Sequence, residues 1–574
     1  IWETLIRWTI TLKMLKFSLW LLLIILANQV LSRPNFVLIF ADDVGYGDFQ
    51  SYGHPTQERG PIDDLAAEGM RFTQWYSAAS LCTPSRAALL TGRLPIHSGM
   101  VGPTRVLHQN DAGGLPKNET TLAEALKELG YKTGMVGKWH LGINELKQND
   151  GRHLPKHHGF DFVGTNLPFT FHLFCSPSET HYKSSVTNTK IVKIPAKHIS
   201  VFLGGTLAKL CLIELLWNLI HIVVTTNMLL NPNQQYVPKY PVDKMKIKCF
   251  LSNKDEIIEQ PIIPEKLTDK IVEGAKQFIT ENQKNPFFLY LSLPQTHVAM
   301  FCKEEFCNKS MRGSYGDNVN EMSWAVGEVV NQLKDLNLDQ NTLVMFLSDH
   351  GPAVEFCYTG GSTGGLKGGK ASSWDGGIKV PAVAWWPGTI QPGVKTQVVS
   401  TMDIFPTFLQ LAGNEGNNGN LDGMSISDLL LSNHDNEVHE ILFHYCSDRL
   451  MAVRYGRYKI HFHTQHLHVF NSNCIDGKAL ENIVDYFDCY ANTTTHNPPL
   501  IFDINTDPEE LFPLEAAPRA HIIEEVEKQV AKHQKTIKPV ASQLGRHGKD
   551  LQPCCNPPSC VCNYPNPDKR KTEL

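Results

Sequence analysis

The chain carries little excess charge of either sign. Its 53 Lys and Arg against 58 Asp and Glu leave a formal charge of −5, so it has no basic surplus to hold a phosphate backbone. Nucleic acid is therefore not an expected partner. It has no internal repeat, which excludes a repeat architecture. Apolar residues make up 42% and charged ones 19%, the balance of a globular protein rather than a disordered one. With 574 residues it exceeds one simple core, so one large domain and a smaller one are expected.

Long apolar runs are scarce as well. Phe17 to Ala27 is short for a membrane span. With Met14-Leu15-Lys16 before it and a more polar stretch to Ser32 after it, it reads as a secretory signal, a retained anchor being the alternative. Residues 1–13 contain no Met and read as an upstream extension, so Met14 is the expected initiator. The 14 cysteines suit a secretory route: Cys554, Cys555, Cys560 and Cys562 crowd a Pro-rich tail and act as staples in an oxidising compartment. Cys302 and Cys307 lie close enough in sequence to pair. Asn118-Glu119-Thr120, Asn308-Lys309-Ser310 and Asn492-Thr493-Thr494 are glycosylation acceptors. Lys571-Thr572-Glu573-Leu574 differs at one position from the K-D-E-L retrieval signal.

The most informative stretch is Leu81-Cys82-Thr83-Pro84-Ser85-Arg86-Ala87-Ala88-Leu89-Leu90-Thr91-Gly92-Arg93. Its Ala/Leu-rich run reads as a helix, with Pro84 in the first turn, where a missing N–H costs nothing. Cys82 then sits at the helix N-terminus, where the dipole favours negative charge. Arg86, one turn on, faces the same anion. Taken alone, a cysteine before a helix is as readily a disulfide or a buried thiol.

Phe36 to Phe40 reads as a strand buried on both faces and ends in Ala41-Asp42-Asp43. Two acids there are either solvated turn residues or ligands of a cation, and strand carboxyl ends are where ligands bind in parallel sheets. Tyr131 to Val136 leads into Gly137-Lys138-Trp139-His140-Leu141-Gly142, where an extended backbone would project Lys138 and His140 to one side. Pro286 to Leu293 leads to Pro294-Gln295-Thr296-His297, and Thr342 to Leu347 ends in Ser348-Asp349-His350-Gly351. Helices expected at 62–69, from Cys82, at Leu122 to Leu129 and at Asn318 to Leu336 alternate with these strands, which supports a mostly parallel sheet. Gly360 to Gly377 holds Lys367 and Lys370 and by itself reads as a flexible loop. From about residue 440 the texture becomes short alternating strands (Glu440 to Tyr445, Met451 to Arg454, Tyr458 to His463, Leu500 to Ile504) with one helix, Ile522 to His533, a small α+β unit with an antiparallel sheet.

The expected organisation is 1–32 extension and signal, 33–439 catalytic domain, 440–545 α+β subdomain and 546–574 Cys-rich tail. Residues 199–230 are strongly apolar, broken by Lys209, Glu214, Asn218 and His221. A single span there would divide Cys82 from the later motifs. The segment is therefore expected to enter and leave the membrane by one face, as a hairpin or an interfacial helix, a buried helix pair being the alternative.

These motifs resemble the sulfatase family from about Pro34 to the C-terminus. The resemblance rests on Cys82-Thr83-Pro84-Ser85-Arg86, Asp42-Asp43, Gly137 to Gly142, Ser348 to Gly351, Lys367-Gly368-Gly369-Lys370-Ala371 with Trp374-Asp375-Gly376-Gly377, and Pro499 through Glu509. The first third is similar to the arylsulfatase A type. The apolar insertion, the Leu366 to Lys370 loop and the cysteine-rich tail are similar to the steroid sulfatase group. The resemblance implies an α/β, alkaline phosphatase-like fold: a large, mostly parallel or mixed sheet sandwiched by helices, with a smaller C-terminal α+β domain carrying an antiparallel sheet.

It also implies chemistry. A formylglycine-generating enzyme would convert Cys82 to 3-oxoalanine (formylglycine), whose hydrate is the nucleophile. Asp42, Asp43, Asp349 and His350, with position 82, would hold one divalent cation, Ca2+. Arg86 would hold the hydrate with the cation. Lys138, His297 and Lys370 would hold sulfate oxygens, His297 or Lys370 would protonate the leaving alcohol, and His140 would act as base. His350 departs from the Asn or Gln usual in this group; imidazole is a poor calcium ligand, which leaves a softer metal or a rearranged shell open. The implied substrate is a small sulfate monoester, aryl or steroid, with sulfated sugars or sulfolipids as alternatives. The implied place is the endoplasmic reticulum membrane, contacted through 199–230 with the catalytic domain in the lumen; a lysosomal or secreted protein is the alternative. Implied disulfides are Cys554–Cys560, Cys555–Cys562, Cys446–Cys489 and Cys175–Cys249. A phosphatase of the same superfamily would carry Ser or Thr in place of Cys82. An inactive lumenal binding protein would show gaps among the ten site positions, and none is missing.

Overall fold

The computed structural model describes Met14 and residues 33–147, 150–169, 250–253, 256–259, 262–298, 300–414, 420–432, 435–465, 488–491, 493–548 and 551. The signal, the 199–230 segment, Asn492, Cys175–Cys249 and both tail disulfides lie outside them. No described helix is long and apolar enough to cross a membrane.

Strand β1 (Asn35–Ala41) is buried throughout, and its side chains alternate between two cores. Phe36, Leu38 and Phe40 enter one cluster, Val37, Ile39 and Ala41 the other. Period-two alternation between two dry faces is what a continuous apolar run produces in a covered sheet. The same sheet contains β2 (Met70–Tyr76), β3 (Lys132–Lys138), β4 (Phe162–Leu167), β5 (Leu251–Asn253), β6 (Glu256–Glu259), β7 (Phe287–Ser292), β8 (Thr342–Ser348), β9 (Lys379–Trp385), β10 (Gly393–Lys395) and β11 (Val399–Ser400). Their spatial order is β10-β2-β9-β8-β1-β7-β3-β4-β5-β6, with β11 beside β2. The run β8-β1-β7-β3-β4 is parallel, whereas β9 and the β4-β5-β6 edge pair antiparallel, so the sheet is mixed.

One face is covered by the helices Pro61–Glu68, Leu267–Asn282 and Ser314–Asp335. The other is covered by Cys82–Thr91, Leu122–Glu128 and Ile404–Leu411. Each fully buried Phe, Leu or Ile removed from water contributes about 2 kcal/mol, and this packing is the rigid base on which a costly set of buried charges can be held.

The C-terminal sheet is antiparallel, in the order β12 (Ile441–Cys446), β13 (Arg449–Tyr455), β14 (Tyr458–Gln465), β15 (Thr493–Asp503). The expected Leu500 to Ile504 strand is thus the last part of a strand that starts at Thr493. The helix Ala520–Gln534 lays Val526 and Val530 on Val453, Ile460 and Ile501. The two sheets meet at a buried charge cluster. Lys459 Nζ contacts Asp375 Oδ1 at 2.5 Å and Glu510 Oε1 at 3.3 Å, and His461 Nε2 reaches Glu510 Oε1 at 2.6 Å. Lys367 donates to the Glu510 carbonyl at 3.0 Å and the Gln465 amide to the Ala371 carbonyl at 3.4 Å, so the C-terminal sheet braces the loop that carries Lys370.

Cys302–Cys307 and Cys446–Cys489 are bonded. Cys357 is also disulfide-bonded, which no motif indicates. Asn118 and Asn308 are exposed.

Candidate active site

Register aligns the ends of neighbouring strands. Ala41 of β1 lies opposite Ser348 of β8, Phe40 opposite Ser292 of β7, and Ser292 opposite Gly137 of β3. Asp42-Asp43, Asp349-His350, His297 and Lys138-His140 therefore emerge together at the carboxyl edge of the parallel run, where strands end and ligands bind. Backbone bonds lock the arrangement: Asp42 N–H to Gln295 O (3.1 Å), Thr296 N–H to Asp42 O (2.7 Å) and Asp349 N–H to Ala41 O (3.0 Å). Asp43 N–H donates to Asp349 Oδ1 at 3.1 Å and Val44 N–H to Ser348 Oγ at 3.0 Å. The helix Cys82–Thr91 starts at Cys82 and is buried throughout. The Ser85 hydroxyl donates to the Asp349 carbonyl, which aims the positive helix end at this edge.

Three carboxylates meet one arginine and two lysines. Arg86 Nη2 contacts Asp349 Oδ2 at 2.8 Å and Asp42 Oδ1 at 3.2 Å; Lys138 Nζ contacts Asp42 Oδ2 at 2.5 Å; Lys370 Nζ contacts both Asp43 oxygens at 2.7 Å. Such pairing is the condition for burying charge. Burial alone would raise the Asp42 carboxyl, but Lys138, Arg86 and Lys370 together hold it well below the usual range. Burial opposes the charge on Lys370, and Asp43, Cys82 and Asp42 outweigh it, so the ammonium stays protonated.

The histidines divide by their surroundings. Burial and then Lys138 and Arg86 depress His140; burial and then Lys370 depress His297, so both are neutral. His140 Nε2–H donates to the Leu107 carbonyl at 2.9 Å, and its Nδ1 is buried without a hydrogen-bond partner among the described residues. That nitrogen carries a lone pair open to a proton. The backbone at His140 is left-handed (φ 58°), so the extended projection beside Lys138 does not hold: the chain turns after β3. Asp43 (φ 61°) and Ala371 (φ 69°) are left-handed too, a conformation non-glycine residues hold where the surroundings over-determine it.

His350 behaves differently. Burial would lower it, but Asp349, Cys82 and Asp43 outweigh burial and raise it to about 9. Its Nε2 lies 3.2 Å from Cys82 Sγ, 3.3 Å from Asp43 Oδ1 and 3.6 Å from Asp349 Oδ1. Asp42, Asp43, Cys82 and His350 each place a ligand-type atom within 4.8 Å of the others. Adjacent ligands of an ion at 2.3–2.6 Å stand about 3.4 Å apart, so the donor set fits one cation, with Asp43 shared with Lys370.

All ten expected residues thus meet at one edge. Sequence reasoning missed their supports. Ser292 Oγ, at 2.6 Å, and the Tyr290 hydroxyl, at 3.5 Å, accept from Arg86 Nη1. Thr83 Oγ1 joins the Leu107 N–H (3.1 Å) to the His140 carbonyl (3.0 Å). Glu355 is buried, and burial pushes its carboxyl up to about 7 against the pull of Lys370. The strand-end position of Ser292 was the one available signal.

Residues 34–414 match the sulfatase family and residues 437–562 the C-terminal region of aryl-sulfatase. The chain is 40% identical over 540 residues to an arylsulfatase of Hemicentrotus pulcherrimus, covering 93% of this chain and 87% of the relative. It is 37% identical over 578 residues to the steryl-sulfatase of Homo sapiens, covering 95% and 96%. Of solved structures, the PsFucS1 sulfatase from Pseudoalteromonas sp. shares the fold at TM-score 0.65 and 24% identity, covering 88% of this chain and 90% of that one.

Proposed function

The chain belongs to the sulfatase family and hydrolyses sulfate esters, and from that premise we propose how its own residues do so and on what. The substrate is an apolar aryl or steroid sulfate monoester. Position 82 acts after oxidation to formylglycine by a formylglycine-generating enzyme, and Asp42, Asp43, Asp349 and His350, with position 82, would hold one divalent cation, calcium first. The aldehyde hydrate supplies the attacking oxygen and the cation supplies positive charge beside it.

The remaining work falls to side chains already poised. Arg86 contacts both Asp42 and Asp349 and holds them close together. Lys138 and Lys370 offer fixed ammonium donors to an anionic sulfuryl group in a dry site, where removing one aligned donor typically costs about 10²–10³ in rate. Lys370, held protonated, is the proton donor to the departing alcohol. His297, neutral with its Nδ1–H committed to the Val298 carbonyl at 2.6 Å, positions a sulfate oxygen or takes up a proton rather than starting as the acid. His140 receives a proton at Nδ1, the one position its hydrogen bond to Leu107 leaves open. The protein works in the secretory pathway, in the lumen of the endoplasmic reticulum or in the lysosome, with 199–230 as the membrane-contacting segment.

The observation that carries this reading is Cys82 Sγ at 3.2 Å from His350 Nε2, inside a cluster of buried carboxylates. The test compares matched aryl sulfate and aryl phosphate, with and without chelator. Sulfate turnover that dominates, is lost on chelation and returns with calcium supports the reading. Phosphate turnover that dominates overturns it.

A further inference from the structure

A second cluster of ligand-type side chains stands outside this machinery. His108, Asp111 and His547 each bring a donor atom within 4.8 Å of the others, although His547 lies 436 residues beyond Asp111. The Asp111 carboxylate is buried and fixed: Oδ2 accepts the His108 N–H at 2.8 Å. The two imidazoles converge on opposite oxygens. His108 Nδ1 is 3.5 Å from Oδ2, and His547 Nδ1 hydrogen-bonds Oδ1.

Two imidazoles and one carboxylate are the ligand set of a first-row transition ion, with a position left for water. Calcium prefers six or more oxygens and has no reason to choose it. The two rings are half-exposed, with side-chain exposures of 40% and 50%. Turning these surface rings would open the Asp111–His547 hydrogen bond and admit an ion at about 2.0–2.1 Å.

The site also sits where it can matter. Residues 546–548 are already laid along this loop, by Ala112 N–H to Arg546 O (2.7 Å), Gly548 N–H to Asn110 O (2.9 Å) and an antiparallel bridge between Asp111 and His547. The same loop carries Leu107, whose carbonyl accepts from His140 and whose N–H reaches Thr83, the neighbour of Cys82. We propose that His108, Asp111 and His547 form a zinc site that clamps the C-terminal segment onto the loop positioning His140. An ion here binds the folded state alone, because the unfolded chain separates its ligands, and so stabilises it.

The experiment uses the whole chain loaded with calcium. Zinc equivalents are counted by native mass spectrometry, and cobalt absorption is recorded, for the protein and for His108→Gln and His547→Gln. One equivalent with tetrahedral cobalt bands and no thiolate charge transfer, lost in both variants, supports the site. So does a zinc-dependent rise in melting temperature that both variants lack. Equal zinc counts in the protein and in His547→Gln overturn it and leave Asp111–His547 as a hydrogen-bonded latch only. Neither residue belongs to the ten at the strand edge, so this failure leaves the sulfatase reading standing.

Discussion

His350 turns its Nδ1 to the Gly351 carbonyl at 2.8 Å and its Nε2 to Cys82 Sγ at 3.2 Å. A carbonyl accepts, so Nδ1 carries hydrogen and Nε2 presents either a proton or a lone pair to Asp43 and Asp349. A divalent ion bound at Nε2 must displace a proton that leaves the ion-free site at about 9. Apparent affinity is therefore expected to rise with pH by roughly tenfold per unit up to that value. His350→Asn removes this slope and shifts preference toward calcium. Calorimetry in buffers of different ionisation heat checks both; a pH-independent affinity in the unaltered protein contradicts the direct ligand role.

Lys370 and His297 separate by leaving group. If Lys370 donates the proton, Lys370→Met lowers kcat by about 10²–10³ for a poor leaving group such as a steroid alcohol, and less for a nitrophenol that leaves unaided. His297→Gln is expected to slow both substrates alike. Equal sensitivity of both variants to leaving-group pKa removes the distinction between them.

How much of this was legible in the sequence follows from where each residue sits. Asp42 and Asp349 could be read because each ends an apolar run, and two such runs paired in parallel place their following residues side by side. His140 could be named but not aimed, since its left-handed turn depends on tertiary bonds from Thr83 and Leu107. Ser292 and Tyr290 acquire meaning only when β7 lies against β1 and meets Arg86. The charge cluster of Asp375, Lys459 and Glu510 joins segments 51 to 135 residues apart, beyond what local pattern reports.

That cluster makes its own prediction. Lys459→Met leaves Asp375 and Glu510 buried with one cation fewer and is expected to cost about 3–5 kcal/mol, with a lower melting temperature and reduced kcat through the Lys370 loop. Adding Asp375→Asn should recover part of the loss. Denaturant unfolding of both variants checks it; full additivity of the two losses would show that the charges act independently.

Acid stability follows from His153, which is buried and which burial, then Lys117, depress from 6.5 to about 4. The unfolded chain takes up this proton near pH 6.5 and the folded chain only near 4. Stability is thus complete above 6.5 and falls between 6.5 and 4, by about 3 kcal/mol from this residue. His153→Gln should flatten that part of the profile in urea midpoints measured across the window; an unchanged slope contradicts the assignment.

The most direct measurement is mass spectrometry of the tryptic peptide containing Cys82, a buried free thiol in this structure, from protein made in a secretory cell, alongside aryl sulfate hydrolysis. The account predicts formylglycine at position 82 and metal-dependent turnover, both absent in Cys82→Ala. A correctly folded protein that turns over sulfate esters with an unmodified or disulfide-bonded Cys82 would contradict it.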